Sequence, residues 1–275
     1  MVKIKGIYTY PIKSFLGIPL NSARLNGRGL QFDRRWMLID ESGRFISQRE
    51  EAALCFLSPT IMGNKLIIRD IREKDYPALE LSLYPSGGEQ IMTNVFEDKL
   101  LCELCEEEVA PWMEARLGTP YKMVYQPDST HRKVDPRYAI NEEEVSLADG
   151  YPYMLLSQAS LDVLNEKMSF PMLMNRFRPN ILVEGTKAFE EDSWGKVTIG
   201  GASFQAVKPC GRCSITTIDQ KTAIQGKEPL KTLASFRKSG RKILFGQYLL
   251  HLSGEEIAVG DILEVHSTKE TPLFD

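Results

Sequence analysis

The sequence lacks the features that mark membrane proteins, secreted proteins and nucleic-acid-binding proteins. No apolar run is long enough to cross a bilayer, and no charged segment followed by an apolar segment marks a signal peptide. We therefore expect a cytoplasmic protein that does not insert into a membrane. The net charge of −3 gives no general attraction to nucleic acid, so a nucleic-acid partner is not expected either.

Histidine and cysteine are both scarce. None of the three histidines has metal-site spacing or belongs to a Ser–His–Asp arrangement. The cysteines are Cys55, Cys102, Cys105, Cys210 and Cys213. An odd number with two Cys-x-x-Cys pairs does not resemble the disulfide framework of a secreted protein. No four-cysteine spacing typical of a ferredoxin cluster occurs in the chain.

Short apolar or alternating runs separated by polar turns dominate the sequence. The run from Val2 to Tyr10 alternates as a half-buried strand does. Gly200-Gly201 is predicted to join 196–199 to 202–207 as a hairpin. Strands at such spacing are typical of a β-barrel or sandwich, and no strand–helix alternation indicates a parallel sheet. We predict a mainly β protein with some α-helix, of the α+β class.

Three helices are predicted from their end signals. Glu106 to Leu117 stops at Gly118, a suitable C-terminal cap, and Ser157 to Met168 begins with a capping serine. Pro229 to Phe236 has its proline in the first turn. The polar segment from Gln126 to Glu144 is interpreted as an exposed loop or linker, with a functional lid as the alternative.

The most informative segment is Lys208-Pro209-Cys210-Gly211-Arg212-Cys213. It follows a strand-like run, and Pro209 and Gly211 interrupt strand pairing, so a turn is predicted there. A thiolate beside fixed positive charge, such as that of Arg212, has a lowered pKa and can act as a nucleophile or a metal ligand. An inert packing cysteine is the alternative.

This segment resembles the signature of the MOSC domain, named after the C-terminal domain of molybdenum cofactor sulfurase. Four more segments match in the family's order and span nearly the whole chain: Tyr10-Pro11-Ile12-Lys13-Ser14, Asp33-Arg34-Arg35-Trp36, Arg176-Phe177-Arg178-Pro179-Asn180 and Phe245-Gly246-Gln247-Tyr248. The closest branch is that of the amidoxime-reducing molybdoenzymes, which include the mitochondrial amidoxime-reducing component and the bacterial YcbX-like proteins. The YcbX-like proteins carry a fused ferredoxin domain, for which this chain has no cysteine spacing.

The resemblance implies a fold, a cofactor and a site. The fold is a β-rich MOSC N-terminal domain over residues 1–106, followed by a MOSC β-barrel domain with a few helices over residues 107–275. The cofactor is the molybdenum cofactor, Mo-molybdopterin, with Cys213 rather than Cys210 as metal ligand and catalytic residue. The implied cofactor-binding residues are Lys13, Ser14, Arg34, Asp149, Gly150, Tyr151, Arg178, Gly211, Arg212 and Tyr248.

The chemistry of these residues suits an anionic cofactor. Arginine grips phosphate or pterin oxygens with a planar fork, and Lys13 and Ser14 offer an ammonium and a hydroxyl group. Backbone N–H groups of Gly211, of Arg212 and of the turn 149–151 are expected to add donors. For any one of the charged residues, a solvated charge or a surface ion pair is the simpler interpretation. We also expect these cations to have no partner in the cofactor-free protein.

The implied activity is the reduction of N-hydroxylated compounds such as amidoximes, hydroxamates or N-hydroxylated bases. Electrons would come from a separate protein of the ferredoxin, flavin or cytochrome type. A carrier of molybdenum cofactor or of sulfur would use the same thiolate and is an alternative. A second alternative is a structural zinc module, in which Cys102, Cys105, Cys210 and Cys213 supply four thiolates.

Overall fold

A computed structural model describes all residues of the protein, 1–275, and β-strands predominate in it. Eleven strands precede residue 126: β1 (Val2–Thr9), β2 (Ile18–Leu20), β3 (Ser22–Asn26), β4 (Gly29–Leu30), β5 (Trp36–Ile39), β6 (Leu57–Met62), β7 (Lys65–Asp70), β8 (Leu79–Ser82), β9 (Gln90–Val95), β10 (Asp98–Leu104) and β11 (Lys122–Tyr125). Eight more follow: β12 (Tyr153–Ser157), β13 (Ile181–Glu184), β14 (Lys196–Ile199), β15 (Ala202–Gly211), β16 (Lys238–Ser239), β17 (Lys242–Ser253), β18 (Glu256–Ala258) and β19 (Ile262–Val265).

Helices are few and short. The three α-helices are α1 (Val109–Leu117), α2 (Gln158–Glu166) and α3 (Leu230–Ala234). Four 3₁₀-helices cover Ala52–Phe56, Met174–Arg176, Glu190–Ser193 and Ser214–Thr217. The predicted α+β class is confirmed. None of the helices is both long enough and apolar enough to span a membrane.

Seven strands close a barrel. Their order is β12-β13-β1-β19-β14-β15-β17, and β17 pairs back with β12. The predicted hairpin joins β14 to β15. All neighbours are antiparallel except β12 and β13, which are parallel and are connected through α2. This one βαβ unit was not expected, because a single unit leaves no repeated strand–helix alternation in the sequence.

The first strand is part of the barrel. Val2 lies opposite Leu263 of β19, and Ile7 lies opposite Ile181 of β13. The barrel core is a cluster of 17 buried residues drawn from both ends of the chain. The domain boundary predicted after residue 106 falls between β10 and α1 and stays a prediction.

Most of the remaining N-terminal part forms two small sheets, β5-β11-β10-β9 and β6-β7-β8, while β3 and β4 form a third sheet with β18. Helix α1 buries Val109 and Met113 in a cluster of 16 residues with these strands. This part meets the barrel at Gln48, whose amide donates to the carbonyl of Ser14 at 2.6 Å and accepts from Gln220 at 2.9 Å. The N-terminal sheets therefore stand directly beside the loops that end the barrel strands.

The helix-end signals are confirmed. Gly118 caps α1 in the left-handed conformation, with φ of 76°, and the Ser157 hydroxyl accepts from the backbone of Ser160 at 3.1 Å. Each helix is shorter than predicted, because terminal turns leave the α-helical hydrogen-bonding pattern. Local capping chemistry therefore located these ends within a few residues.

The segment 126–144 is tied to the fold rather than free. Arg132 is only 4 % exposed, and its Nε donates to Asp98 at 2.7 Å. Its Nη1 donates to the carbonyl oxygens of Ser146 at 2.9 Å and Ala148 at 2.5 Å. The prediction of an exposed loop or linker is therefore wrong at this residue, since a buried guanidinium needs acceptors.

The predicted turn in the cysteine segment begins later than expected. Strand β15 continues through Pro209 to Gly211, and its pairing with β17 shifts register on both sides of the proline. Such irregularities tolerate a residue that lacks a backbone donor. The chain turns instead at Cys213, which precedes the 3₁₀-helix at 214–217.

Candidate functional site

One pocket at the end of the barrel collects nearly all of the predicted site residues. It lies where β1 and β15 end and where β12 and β13 begin, and its empty volume is about 780 Å³, counting the part open to solvent. Ten of the predicted residues line it: Lys13, Ser14, Arg34, Asp149, Tyr151, Arg178, Gly211, Arg212, Cys213 and Tyr248. Gly150 lines adjoining cavities instead.

Three of these residues have an unusual backbone. Ser14, Arg34 and Arg178 all adopt the left-handed region, with φ of 71°, 48° and 53°. This conformation is unfavourable for residues that carry a Cβ, and it tends to occur where a ligand site over-determines the backbone. Ser14 follows β1 and Arg178 precedes β13, whereas Arg34 lies between β4 and β5. Three of the eight left-handed non-glycine residues of the chain therefore lie on the pocket wall.

The ring of Tyr10 contacts two arginines of the pocket. The Cζ atoms of Arg34 and Arg178 each lie 4.3 Å from the ring centroid. Both guanidinium groups are therefore within cation–π distance of one ring. The Tyr10 hydroxyl donates to the carbonyl of Pro179 at 3.1 Å, and burial raises the pKa of Tyr10 to about 12. A neutral ring thus contributes to holding two like charges at the pocket.

Arg178 has an unused donor. Its Nη1 donates to the carbonyl of Phe15 at 2.5 Å, but its Nη2 is buried without any hydrogen-bond partner. Burial and then the charge of Arg34 lower the pKa of the Arg178 guanidinium to about 10. The group is still a cation at neutral pH. A buried cationic donor without an acceptor is costly, and a bound anion would relieve that cost.

Arg34 and Lys13 do have partners, so the expectation of unpaired cations is wrong for both. Arg34 Nη1 lies 2.7 Å from the carboxylate of Asp33, whose side chain is 0 % exposed. Lys13 Nζ lies 2.8 Å from Asp149 and donates to the carbonyl of Leu147 at 2.9 Å. Burial lowers the pKa of Lys13, and the charge of Lys13 lowers the pKa of Asp149. Desolvated charges are stable only when they are paired.

The two cysteines of the segment differ in their surroundings. Cys213 is exposed at the pocket, and the Nη1 of Arg49 lies 3.8 Å from its sulfur. Cys210 is 3 % exposed, and burial raises the pKa of its thiol. A buried neutral thiol packs as a small apolar group, whereas an accessible sulfur beside a cation can bind a metal.

Arg212 does not place its charge beside Cys213 as predicted. Its Nε donates to the carbonyl of Phe245 at 2.8 Å, and its Nη1 donates to that of Phe177 at 2.9 Å. Its backbone N–H donates to Ile243 at 2.8 Å, so the expected free backbone donor is wrong at this position. The neighbouring carbonyl groups need these donors, and they draw the side chain inward. Arg212 thus clamps the barrel end.

The turn 149–151 keeps free donors. The backbone N–H groups of Asp149, Gly150 and Tyr151 donate to no acceptor in the protein. The hydroxyl of Tyr151 is also buried without a partner, and its ring stacks on that of Tyr248 at 4.6 Å. Nearby Gly246 has φ of 85°, and a Cβ there would lie 2.9 Å from the carbonyl of Leu155. The glycine of the fourth motif is therefore required by the backbone.

Sequence reasoning missed several lining residues. Arg176 and Asn180 lie inside a matched motif but were not selected. Arg176 pairs with Asp219 at 2.5 Å, and Asp219 also accepts from the backbone of Lys221 at 2.8 Å, as is typical of an aspartate that begins a turn. Arg49 comes from the N-terminal part, and nothing in its local sequence marks it.

The four-thiolate zinc alternative is wrong. Cys102 is buried among the strands of an N-terminal sheet, and Cys210 packs in a different cluster beside the barrel. Burial raises the pKa of Cys102 to about 12, which opposes the thiolate form. No group of three or more His, Cys, Asp or Glu side chains is placed to hold a metal ion. The two Cys-x-x-Cys pairs, which are far apart in the sequence, therefore lie in different parts of the folded protein as well.

The pocket as a whole is cationic. Its lining contains six cations and one carboxylate, Asp149: the cations are Lys13, Arg34, Arg49, Arg176, Arg178 and Arg212. Such a balance favours a large anion, and focusing of the field in a cleft strengthens that preference. The exposed sulfur of Cys213 adds one soft ligand at the same place.

Comparison with known proteins identifies the family. The family model described as MOSC N-terminal beta barrel domain matches residues 1–120, and that of the MOSC domain matches residues 142–264. The human mitochondrial amidoxime-reducing component 1 is 31 % identical, with 94 % of this chain and 81 % of the relative covered. The human mitochondrial amidoxime reducing component 2 is 34 % identical, with 94 % and 82 % covered.

A longer relative matches as well. The molybdenum cofactor sulfurase of Bos taurus is 30 % identical over 91 % of this chain, and the chain spans 30 % of the length of that relative. The similarity to the amidoxime-reducing components, by contrast, extends over most of both chains. The chain therefore belongs to the MOSC-domain family, in the branch of the amidoxime-reducing components.

Proposed function

We propose that the pocket binds the molybdenum cofactor and that the protein is a reductase of N-hydroxylated compounds. The observation that carries the proposal is the buried, unpartnered Nη2 of Arg178 in a cationic pocket that also exposes Cys213. The names of the relatives, which refer to molybdenum cofactor and to amidoxime reduction, supply the cofactor and the substrate class.

The residues present fit an anionic pterin. Arg178 would bind its phosphate or pterin oxygens, together with the free backbone donors of the turn 149–151. Cys213 would be the ligand to the metal, with Arg49 beside its sulfur. When bound, the metal supplies the change of oxidation state that oxygen removal requires. Arg34 and Lys13, each already paired with a carboxylate, would fix the shape of the wall.

The reaction needs an external electron source. Removing the hydroxyl oxygen of an N-hydroxylated compound as water consumes two electrons and two protons. The chain has no ferredoxin-type cysteine spacing, so a separate ferredoxin-, flavin- or cytochrome-type protein would deliver the electrons. The cytoplasmic location stays a prediction from the sequence.

Metal and pterin content test the cofactor. Protein purified from a host that makes molybdenum cofactor should contain about one molybdenum and one pterin per chain, because one soft ligand and one cationic pocket are available. Elemental analysis and pterin fluorescence measure both. Protein from such a host without either would contradict the proposal. A carrier of cofactor or sulfur would load equally well but would not reduce a substrate, so turnover by loaded protein separates the two functions.

Arg178→Lys should weaken cofactor binding without unfolding the protein. Lysine keeps the charge but loses the second donor of the fork, and each charge-assisted hydrogen bond lost corresponds to about tenfold to hundredfold in affinity. Pterin retention and the Tm of the cofactor-free form are the measurements. Arg24→Lys, at an exposed position, is the matched control. Full pterin retention in Arg178→Lys would assign this arginine to structure instead.

A further inference from the structure

A second cavity adjoins the candidate site across Arg212 and contains cations that the proposed reaction does not use. Its empty volume is about 700 Å³, counting the open part. Lys208, Arg241 and Lys242 line it but do not line the first pocket. The cavity therefore has its own set of charges next to the proposed cofactor.

These three cations have no carboxylate partner. In the same hairpin, Arg237 pairs with Asp192 at 2.6 Å and Lys238 pairs with Asp275 at 3.1 Å, whereas Arg241 and Lys242 have no carboxylate within 4 Å. Lys208 forms no ion pair either. The cavity is also lined by one carboxylate, and that group, Asp149, is already held by Lys13 at 2.8 Å. The three cations therefore have no carboxylate within 4 Å, and the charge of Asp135 reaches Lys208 only from beyond that distance.

Lys208 is desolvated beside two aromatic rings at the cavity. It is half-buried, and its Nζ lies 4.6 Å from the ring centroid of Tyr138 and 5.0 Å from that of Tyr151. Burial and then the charge of Lys242 lower the pKa of Lys208. In a chain with a net charge of −3, such a cluster of one sign is an attractor for anions.

We propose that this second cavity binds a phosphoryl group. A phosphate dianion neutralises two repelling lysines at once, which a carboxylate cannot do, and Arg241 adds a planar fork for its oxygens. The group could belong to a phosphorylated substrate or to a nucleotide extension of the cofactor, since the cavity adjoins the first pocket. The inference does not depend on the reductase activity.

Calorimetric titration of the cofactor-free, full-length chain with inorganic phosphate and with a nucleoside 5′-monophosphate tests the proposal. We expect two sites, one in each pocket. The double variant Lys208→Gln/Lys242→Gln should weaken one of them at least about tenfold, which is the loss of roughly one charge-assisted contact. Arg178→Lys should weaken only the other. Lys74→Gln, a charge change at an exposed residue that lines neither pocket, should alter neither. The single variant Lys242→Gln replaces the pair if the double variant fails to fold.

Protein loaded with the molybdenum cofactor distinguishes the two possible sources of the phosphoryl group, a substrate and the cofactor itself. If phosphate still binds to loaded protein, the group belongs to a substrate. If it does not bind, and mass spectrometry of the released pterin shows a nucleotide extension, the group belongs to the cofactor. Phosphate binding that is unchanged in the double variant, or that disappears entirely with Arg178→Lys, would overturn the proposal. Binding of an acidic peptide without binding of phosphate would also overturn it and would assign the cavity to a protein partner.

Discussion

Replacing Cys213 with alanine should abolish reduction of N-hydroxylated substrates and remove molybdenum from the purified protein. Three sulfur-bearing residues line the pocket, and Cys213 is the exposed one, whereas Cys210 and Met154 are buried, so Cys213 offers the accessible soft ligand. Stability should change by no more than about 0.5 kcal/mol, because an exposed thiol contributes little packing. Metal content, turnover and Tm are the measurements.

Cys210→Ala is the matched control for this prediction. It removes the same atoms three residues earlier, but from a buried position in the cluster beside the barrel. We expect it to keep metal and activity and to lose about 1 kcal/mol of stability, as typical for a small buried deletion. Loss of metal in Cys210→Ala together with an unaffected Cys213→Ala would reverse the assignment of the pair.

Arg34→Gln should destabilise the cofactor-free protein strongly. The substitution leaves the carboxylate of Asp33, which is 0 % exposed, without its cation. Breaking a buried pair by removing one member costs about 3–5 kcal/mol. We expect the lower end of that range, because the backbone of Tyr10 and the amide of Asn180 still donate to Asp33 at 2.9 Å and 3.0 Å.

Urea unfolding of the cofactor-free variants measures this effect. Asp33→Asn/Arg34→Gln should recover part of the lost free energy of unfolding, since the isolated charge is then gone. Arg178→Lys should unfold at nearly the wild-type urea concentration. The Arg178 guanidinium pairs with no carboxylate, so the substitution leaves no buried negative charge without a partner. An Arg34→Gln variant with unchanged stability but lost cofactor would show that the pair with Asp33 is incidental.

Local signals predicted the local structure well. The hairpin at Gly200-Gly201 and the caps at Gly118 and Ser157 depend on residues that are adjacent in sequence, and all three are present. The barrel closure depends on pairings between distant strands, such as β12 with β17 and β1 with β19. Strand register between remote segments leaves no periodic mark, so it could not be read from the sequence.

The candidate site divides in the same way. The motifs that match the family correctly identified residues that line one pocket, including Arg178 and Cys213. The direction of Arg212 was wrong, because it is set by carbonyl groups of Phe177 and Phe245, far along the chain. Arg49 reaches the sulfur from the N-terminal sheets, so only the packing of the two parts reveals it.

The pairing of β1 with β19 determines when the barrel can be completed during synthesis. Val2 is synthesised long before its partner Leu263. Until then, β1 has an unpaired edge, and such edges favour aggregation. Contacts between residues so far apart also slow folding, because the loop must close before the contact stabilises it. Closure of the barrel is therefore a late folding event, and β1 is a segment that needs protection beforehand.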